Sequence, residues 1–143
     1  MKIRVDVVAG VLDAEAARRE VEDPAHGAVL VFWGNVRDLH EGRAVEAVDY
    51  TAYEPMARRE LEAVARECAT THAVGAVTVL HRTGMLGVGD TSLIVAVGSA
   101  HRAEAFACGL AIIDALKKRV PVWKREIGPQ GARWQDGELP RSP

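Results

Sequence analysis

Cysteine is scarce in this chain. Only Cys68 and Cys108 occur in 143 residues, and they form no CxxC spacing. A zinc site needs clustered ligands, so a cysteine-built metal centre is excluded, and buried free thiols of a reducing compartment are expected instead. The five histidines, His26, His40, His72, His81 and His101, are scattered singly, which excludes a histidine metal cluster in the same way. No apolar run approaches membrane-spanning length, and no charged segment precedes a signal-type apolar stretch. The cytoplasm is therefore the expected location, with no membrane partner. Charge of one sign is also missing: the formal net charge is -2. Without a global basic field, and with one basic cluster at Lys117–Arg125, nucleic acid is not an expected partner, and any anion site must be local. There is no P-loop, no GxGxxG, no Ser/His/Asp pattern, no repeat and no linker.

What is present suits a soluble globular protein: 48% hydrophobic and 27% charged residues, in a length expected to make a single domain over residues 1–143. Alternation predicts strands at Lys2–Val8, His26–Arg37, Ala44–Glu54, Gly75–Arg82, Thr91–Val97 and Val122–Ile127. Helices are predicted at Ala14–Glu22, capped by Asp13, at Met56–His72 after Pro55, and from Ser99 to the residue before Pro121. Asp38–Gly42 reads as a turn, so the strands on either side of it are expected to pair. Thr83–Asp90 reads as a Gly-rich connection, and residues 128–143 as an irregular C-terminal tail. The order β-α-β-β-α-β-β-α-β predicts an α+β domain, with helices packed on one face of a largely antiparallel sheet.

The third helix carries the chemistry that is hardest to explain by folding. With Ser99 as its N-cap, His101 and Arg102 fall in a first turn that already carries partial positive charge and free N–H groups. Either the pair turns away to Glu104 or Asp90, or it binds an anion, best a phosphate. At the other end, cations are stabilising, and Lys118 and Arg119 read as surface charge. The stripe Phe106, Leu110, Ile113 continues onto Lys117, which predicts a lysine stem on the buried face. In the strand after Pro121, Lys124 points opposite to Trp123 and Arg125, on the side of Val122 and Glu126. Lys117 and Lys124 either lie on solvated faces or converge across the Pro121 turn. Convergence would lower a lysine pKa and yield a usable base or nucleophile. Arg37 matters if the loop after it meets this pocket.

The segments VFWGNVRD (Val31–Asp38), YEPMARREL (Tyr53–Leu61), SAHR (Ser99–Arg102), DALKKR (Asp114–Arg119), PVWKRE (Pro121–Glu126) and GARW (Gly131–Trp134) resemble the large, catalytic subunits of molybdopterin synthase. The resemblance covers most of the chain. It implies an α/β hammerhead-type fold and a homodimer. A small ubiquitin-like subunit would dock on each protomer, forming a heterotetramer, and insert a C-terminal Gly-Gly thiocarboxylate tail. The implied reaction transfers two sulfurs to cyclic pyranopterin monophosphate, giving the molybdopterin dithiolene, with no cofactor and no metal. Lys117 and Lys124 correspond to the family's lysine pair, and Arg37, His101 and Arg102 to its substrate-positioning residues. Phe32 and Trp123 are candidate pocket walls as well as candidates for core packing. Two other readings stay open at this level: a non-catalytic dimeric module that binds a phosphorylated metabolite, and the disfavoured nucleic-acid binder.

Overall fold

The computed structural model describes residues 1–134. In chain order the elements are β1 (Lys2–Val8), α1 (Ala14–Glu20), β2 (Ala28–Asn35), β3 (Leu39–His40), β4 (Arg43–Ala44), β5 (Ala47–Ala52), α2 (Glu54–His72), β6 (Ala76–Arg82), β7 (Gly84–Gly87), β8 (Thr91–Ser99), α3 (Arg102–Arg119), β9 (Val122–Gly128) and β10 (Gly131–Trp134). The class is α+β, as the sequence predicts, but there are two four-stranded sheets and a short hairpin rather than one sheet.

The first sheet has the order β1-β6-β8-β2, with one parallel pair, β1 with β6. Its inner strands β6 and β8 are rich in valine, leucine and isoleucine because both of their faces are covered. On one face lie α2 and α3, around Leu61, Val64, Val79, Val95 and Ile112. The other face is covered by α1, through Ala17 and Val21 against Leu80, Ile94 and Ala96. Helices therefore occupy both faces, not the single face expected. Asp13 caps α1 as expected, its Oδ1 accepting from the Ala16 N–H at 3.0 Å. Pro55 stands at the start of α2.

The second sheet has the order β10-β9-β5-β7 and is wholly antiparallel. It takes in β5, which was expected to pair with β2. Instead β2 pairs with β8, from Ala28 opposite Ser99 to Asn35 opposite Thr91, with a bulge at Gly34/Asn35. The segment between β2 and β5 folds on itself as the β3–β4 hairpin, turning through Glu41 and Gly42 at positive φ, and the chain then crosses to the second sheet. The Gly-rich connection contains an edge strand, β7. Of the tail expected to be irregular, Gly131–Trp134 forms β10, because Gly131 at φ 102 lets the chain reverse and pair with β9. Residues 135–143 lie outside the described residues.

In α3 the buried residues are Ala105, Cys108, Gly109, Ile112 and Leu116, not the expected stripe. Small residues let the helix approach the sheet closely: a Cβ on Gly109 would stand 2.9 Å from Leu30 Cδ2. Phe106 and Leu110, each 62% exposed, are turned outward. They flank β2, an edge strand whose Val29, Phe32 and Trp33 are also exposed.

Candidate functional site

Arg37 lies two residues beyond β2, rather than closing it, on a loop fastened by its neighbour Val36. The Val36 N–H donates to the Asp90 carbonyl at 2.9 Å, and its side chain packs with Val45, just before β5, and with Val48 and Leu86 of the second sheet. Since α3 runs back along the first sheet, its C-terminus returns to the end of the layer where β2 finishes. Lys117, in that last turn, is exposed. Its stem does not follow the buried face, because the buried row ends at Leu116. Seven positions on, Lys124 lies half-buried on β9. The neighbouring Arg119 is held by Glu60 and Glu67 of α2 and is structural, which fixes the end of α3 against its partner helix.

The α3 N-terminus differs from expectation. Ser99 is the last residue of β8, buried, with its hydroxyl unpartnered, and the N-cap is His101, whose side chain makes no capping bond. Arg102 is the first helical residue. Both basic side chains are exposed, and neither turns to Asp90 or Glu104. Asp90 Oδ2 instead accepts from the Gly87 N–H at 2.9 Å. Among the described residues no ion pair holds Arg37, Arg102, Lys117 or Lys124.

These residues do not form one cluster within a chain. Arg102 and Lys117 are at opposite ends of α3, about 22 Å apart at the helical rise. Arg37 and the His101 turn are likewise at opposite ends of β2, about 24 Å apart at the strand rise. One end of the layer thus presents Arg37, Lys117 and Lys124, and the other His101 and Arg102. Phe32 lies on the β2 face that looks toward α3, by alternation from Ala28 and Leu30, which pack against the α3-side core. Trp123 is on the face of β9 opposite to Lys124, opposed to Thr51 of β5.

The inner face of the second sheet holds polar groups that the sequence reading passed over. Glu126, 8% exposed and two residues from Lys124 on the same face, accepts from His40 Nδ1 at 3.0 Å and has Arg133 at 3.9 Å. Tyr50 is opposed to Lys124 across β5–β9 and stacks edge-on against His81, ring centroids 5.3 Å apart. Burial holds the Tyr50 phenol above its ordinary value, the charge of Glu126 adds to this, and the polar side chain of Ser92 opposes it. Burial pushes His81 down, against the pull of its bond to the Arg82 carbonyl. The strand period was the available signal: Val48, Tyr50 and Ala52 share one face of β5, and Lys124 and Glu126 one face of β9.

Chemically, the lysine end can bind an anionic group and polarise a carbonyl. The thiols are poorly placed to serve as nucleophiles: burial pushes Cys108 up to about 12 and also raises Cys68. Among the described residues no group of His, Cys, Asp or Glu could hold a metal ion, and no helix is long and apolar enough to cross a membrane.

Comparison with known proteins places the chain in a family. The family model described as MoaE protein matches residues 7–119. The molybdopterin synthase catalytic subunit of Pyrococcus abyssi is 40% identical over 124 residues, which cover 87% of this chain and 84% of that protein. The crystal structure of molybdopterin synthase from Staphylococcus aureus superposes with a TM-score of 0.86 at 33% identity, covering 90% of this chain and 94% of that one. A complex of subunits 1 and 2 of the molybdopterin-converting factor from Helicobacter pylori shares the fold, with a TM-score of 0.73 at 20% identity over 91% of this chain and 88% of its own. By the extent of the family match and of the identity, the chain belongs to the MoaE protein family.

Proposed function

We propose that this protein is the catalytic subunit of a molybdopterin synthase, a sulfurtransferase. It moves two sulfurs from the thiocarboxylated Gly-Gly terminus of a small ubiquitin-like subunit to cyclic pyranopterin monophosphate. The observation that carries this reading is the family match, which runs through both ends of α3 and so includes the basic residues there. The raised thiols agree with a sulfur that arrives on a partner rather than on this chain. We place the reaction in the cytoplasm, where such thiols stay reduced.

Lys117 and Lys124 would polarise the thiocarboxylate carbonyl, stabilise the oxyanion that develops there, or carry protons as each sulfur adds. Arg37, His101 and Arg102 would hold the cyclic phosphate, whose negative charge suits the exposed cations and free N–H groups at the α3 N-terminus.

The separation along α3 has a simple resolution in a homodimer. Leu110 lies midway between Arg102 and Lys117, and Phe32 near the middle of β2. A two-fold axis through this exposed apolar strip would cover Phe32, Phe106 and Leu110 and run the two copies antiparallel. Arg102 of each copy would then stand beside Lys117 of its partner.

The test is a single-turnover reaction of this protein with cyclic pyranopterin monophosphate and a thiocarboxylated small subunit, read as molybdopterin through its oxidised fluorescent derivative. Product that requires the thiocarboxylate supports the reading. A folded protein that binds the pterin phosphate and yields no product would instead favour the binding module.

A further inference from the structure

Arg37 stands between two anchors. On one side is Val36, whose N–H donates to the Asp90 carbonyl and whose carbonyl accepts from the Gly89 N–H at 2.8 Å. On the other side the chain enters the β3–β4 hairpin, and this hairpin is fastened to the strand of Lys124. His40 of β3 donates from Nδ1 to the Glu126 carboxylate of β9, 3.0 and 2.9 Å from its two oxygens. Glu41, at the hairpin turn, pairs with Arg133 of β10 at 3.0 Å. The Ala44 carbonyl lies so close to Gly128 that a Cβ there would stand 2.2 Å from it. Just beyond, the Glu46 N–H donates to the Ile127 carbonyl at 2.8 Å. The Val45 N–H donates back to the carbonyl of Asp38, the residue after Arg37, at 2.9 Å. Arg37 itself is exposed and, among the described residues, in no ion pair, so these anchors set where its guanidinium can reach.

We infer that His40 is a positioning residue: by clasping Glu126 it holds the β3–β4 hairpin on β9 and so sets the reach of Arg37. This rests on the reading that Arg37 holds the phosphate of the substrate. His40 acts through Arg37 and contributes no group to the site. Burial makes the clasp specific. Glu126 is 8% exposed, and His40 is the one side chain among the described residues in hydrogen-bond reach of it, Arg133 standing off at 3.9 Å. Without the imidazole the hairpin keeps its turn and loses its hold. Arg37 then gains backbone freedom that has to be lost again when the substrate binds.

His40→Ala removes the clasp, and His40→Asn, which keeps a side-chain N–H near the place of Nδ1, is the conservative rescue. With the small subunit in its unreactive carboxylate form, His40→Ala is expected to raise the dissociation constant for cyclic pyranopterin monophosphate about five- to tenfold, the scale of one lost hydrogen bond. With the thiocarboxylate form, the single-turnover rate at saturating pterin should stay within about twofold. His40→Asn should bring the constant back to within about twofold of wild type. In an Arg37→Ala background, His40→Ala should add less than about twofold, because both changes act on one contact. A second readout needs no substrate: exchange of the Val45 and Glu46 amide hydrogens should quicken about fivefold or more in His40→Ala and not in His40→Asn. If His40→Ala does not fold, His40→Phe, which keeps a ring and lacks the donor, takes its place with the same expectations. If the wild-type protein makes no product, the synthase reading fails, while pterin binding and amide exchange still judge the role of His40. Amide exchange at the wild-type rate in His40→Ala overturns the inference, even if binding weakens. Unchanged pterin affinity in His40→Ala, or a full further loss on top of Arg37→Ala, overturns it as well.

Discussion

Arg102 opens α3 and Lys117 lies in its last turn, so one rigid helix holds the two about 22 Å apart. If both serve one reaction, they do so across two copies. Arg102→Ala and Lys117→Ala, each poorly active alone at pterin concentrations well below saturation, should therefore complement when co-expressed. Random pairing gives about one quarter of the wild-type sites, because half the dimers are mixed and each mixed dimer holds one intact site. Mixing Lys117→Ala with Lys124→Ala is the control and should restore nothing, since both lysines belong to the same end of one chain.

Lys117→Ala and Lys124→Ala should each reduce single-turnover formation of molybdopterin by about 100-fold or more, the usual scale for losing a charge-stabilising group. Lys117 is exposed and Lys124 half-buried, and neither is in an ion pair, so the thermal transition should hardly move. Full activity in Lys124→Ala would refute the assignment.

Gly98→Ala should destabilise the fold by about 1–3 kcal/mol in urea denaturation, because the site has no room for a methyl group. The added Cβ would meet the Val21 carbonyl and, at 2.6 Å, His26 Nδ1. These two groups are bonded to each other at 2.8 Å, so neither can move freely.

His81 should make stability sensitive to acid. Its native pKa is lowered by burial from an ordinary value of 6.5. The unfolded chain therefore takes up a proton first as the pH falls, and the native state loses ground. The stability linked to His81 is complete above about pH 6.5 and declines from there toward the lowered native value. His81→Phe should flatten that part of the curve, measured as unfolding free energy at pH 7 and pH 5.

Much of the fold was legible because strand alternation and capping are local. The Asp13 cap, the Pro55 start of α2 and the β6 and β8 runs stand where the sequence placed them. Three of the readings that failed show the non-local reasons. Ser99 could have capped α3, but its pairing with Ala28 extends β8 through it and moves the cap to His101. Hydropathy put Phe106 and Leu110 inside, whereas the close approach of α3 to Leu30 selects Ala105, Cys108 and Gly109 for the contact. The turn at Asp38–Gly42 implied a β2–β5 pair, yet β2 found β8, and β5 went to the second sheet between β7 and β9.

The sequence by itself determined the three helices, the main strands and the residues that carry the family's pattern, because each depends on residue type and short-range spacing. Tertiary structure alone decided that Arg37 and the two lysines share one end of the molecule while His101 and Arg102 occupy the other. It alone set Tyr50 opposite Lys124. Both follow from strand pairing and from the direction in which α3 runs back along the sheet, and these are contacts between residues far apart in the chain that no local period encodes.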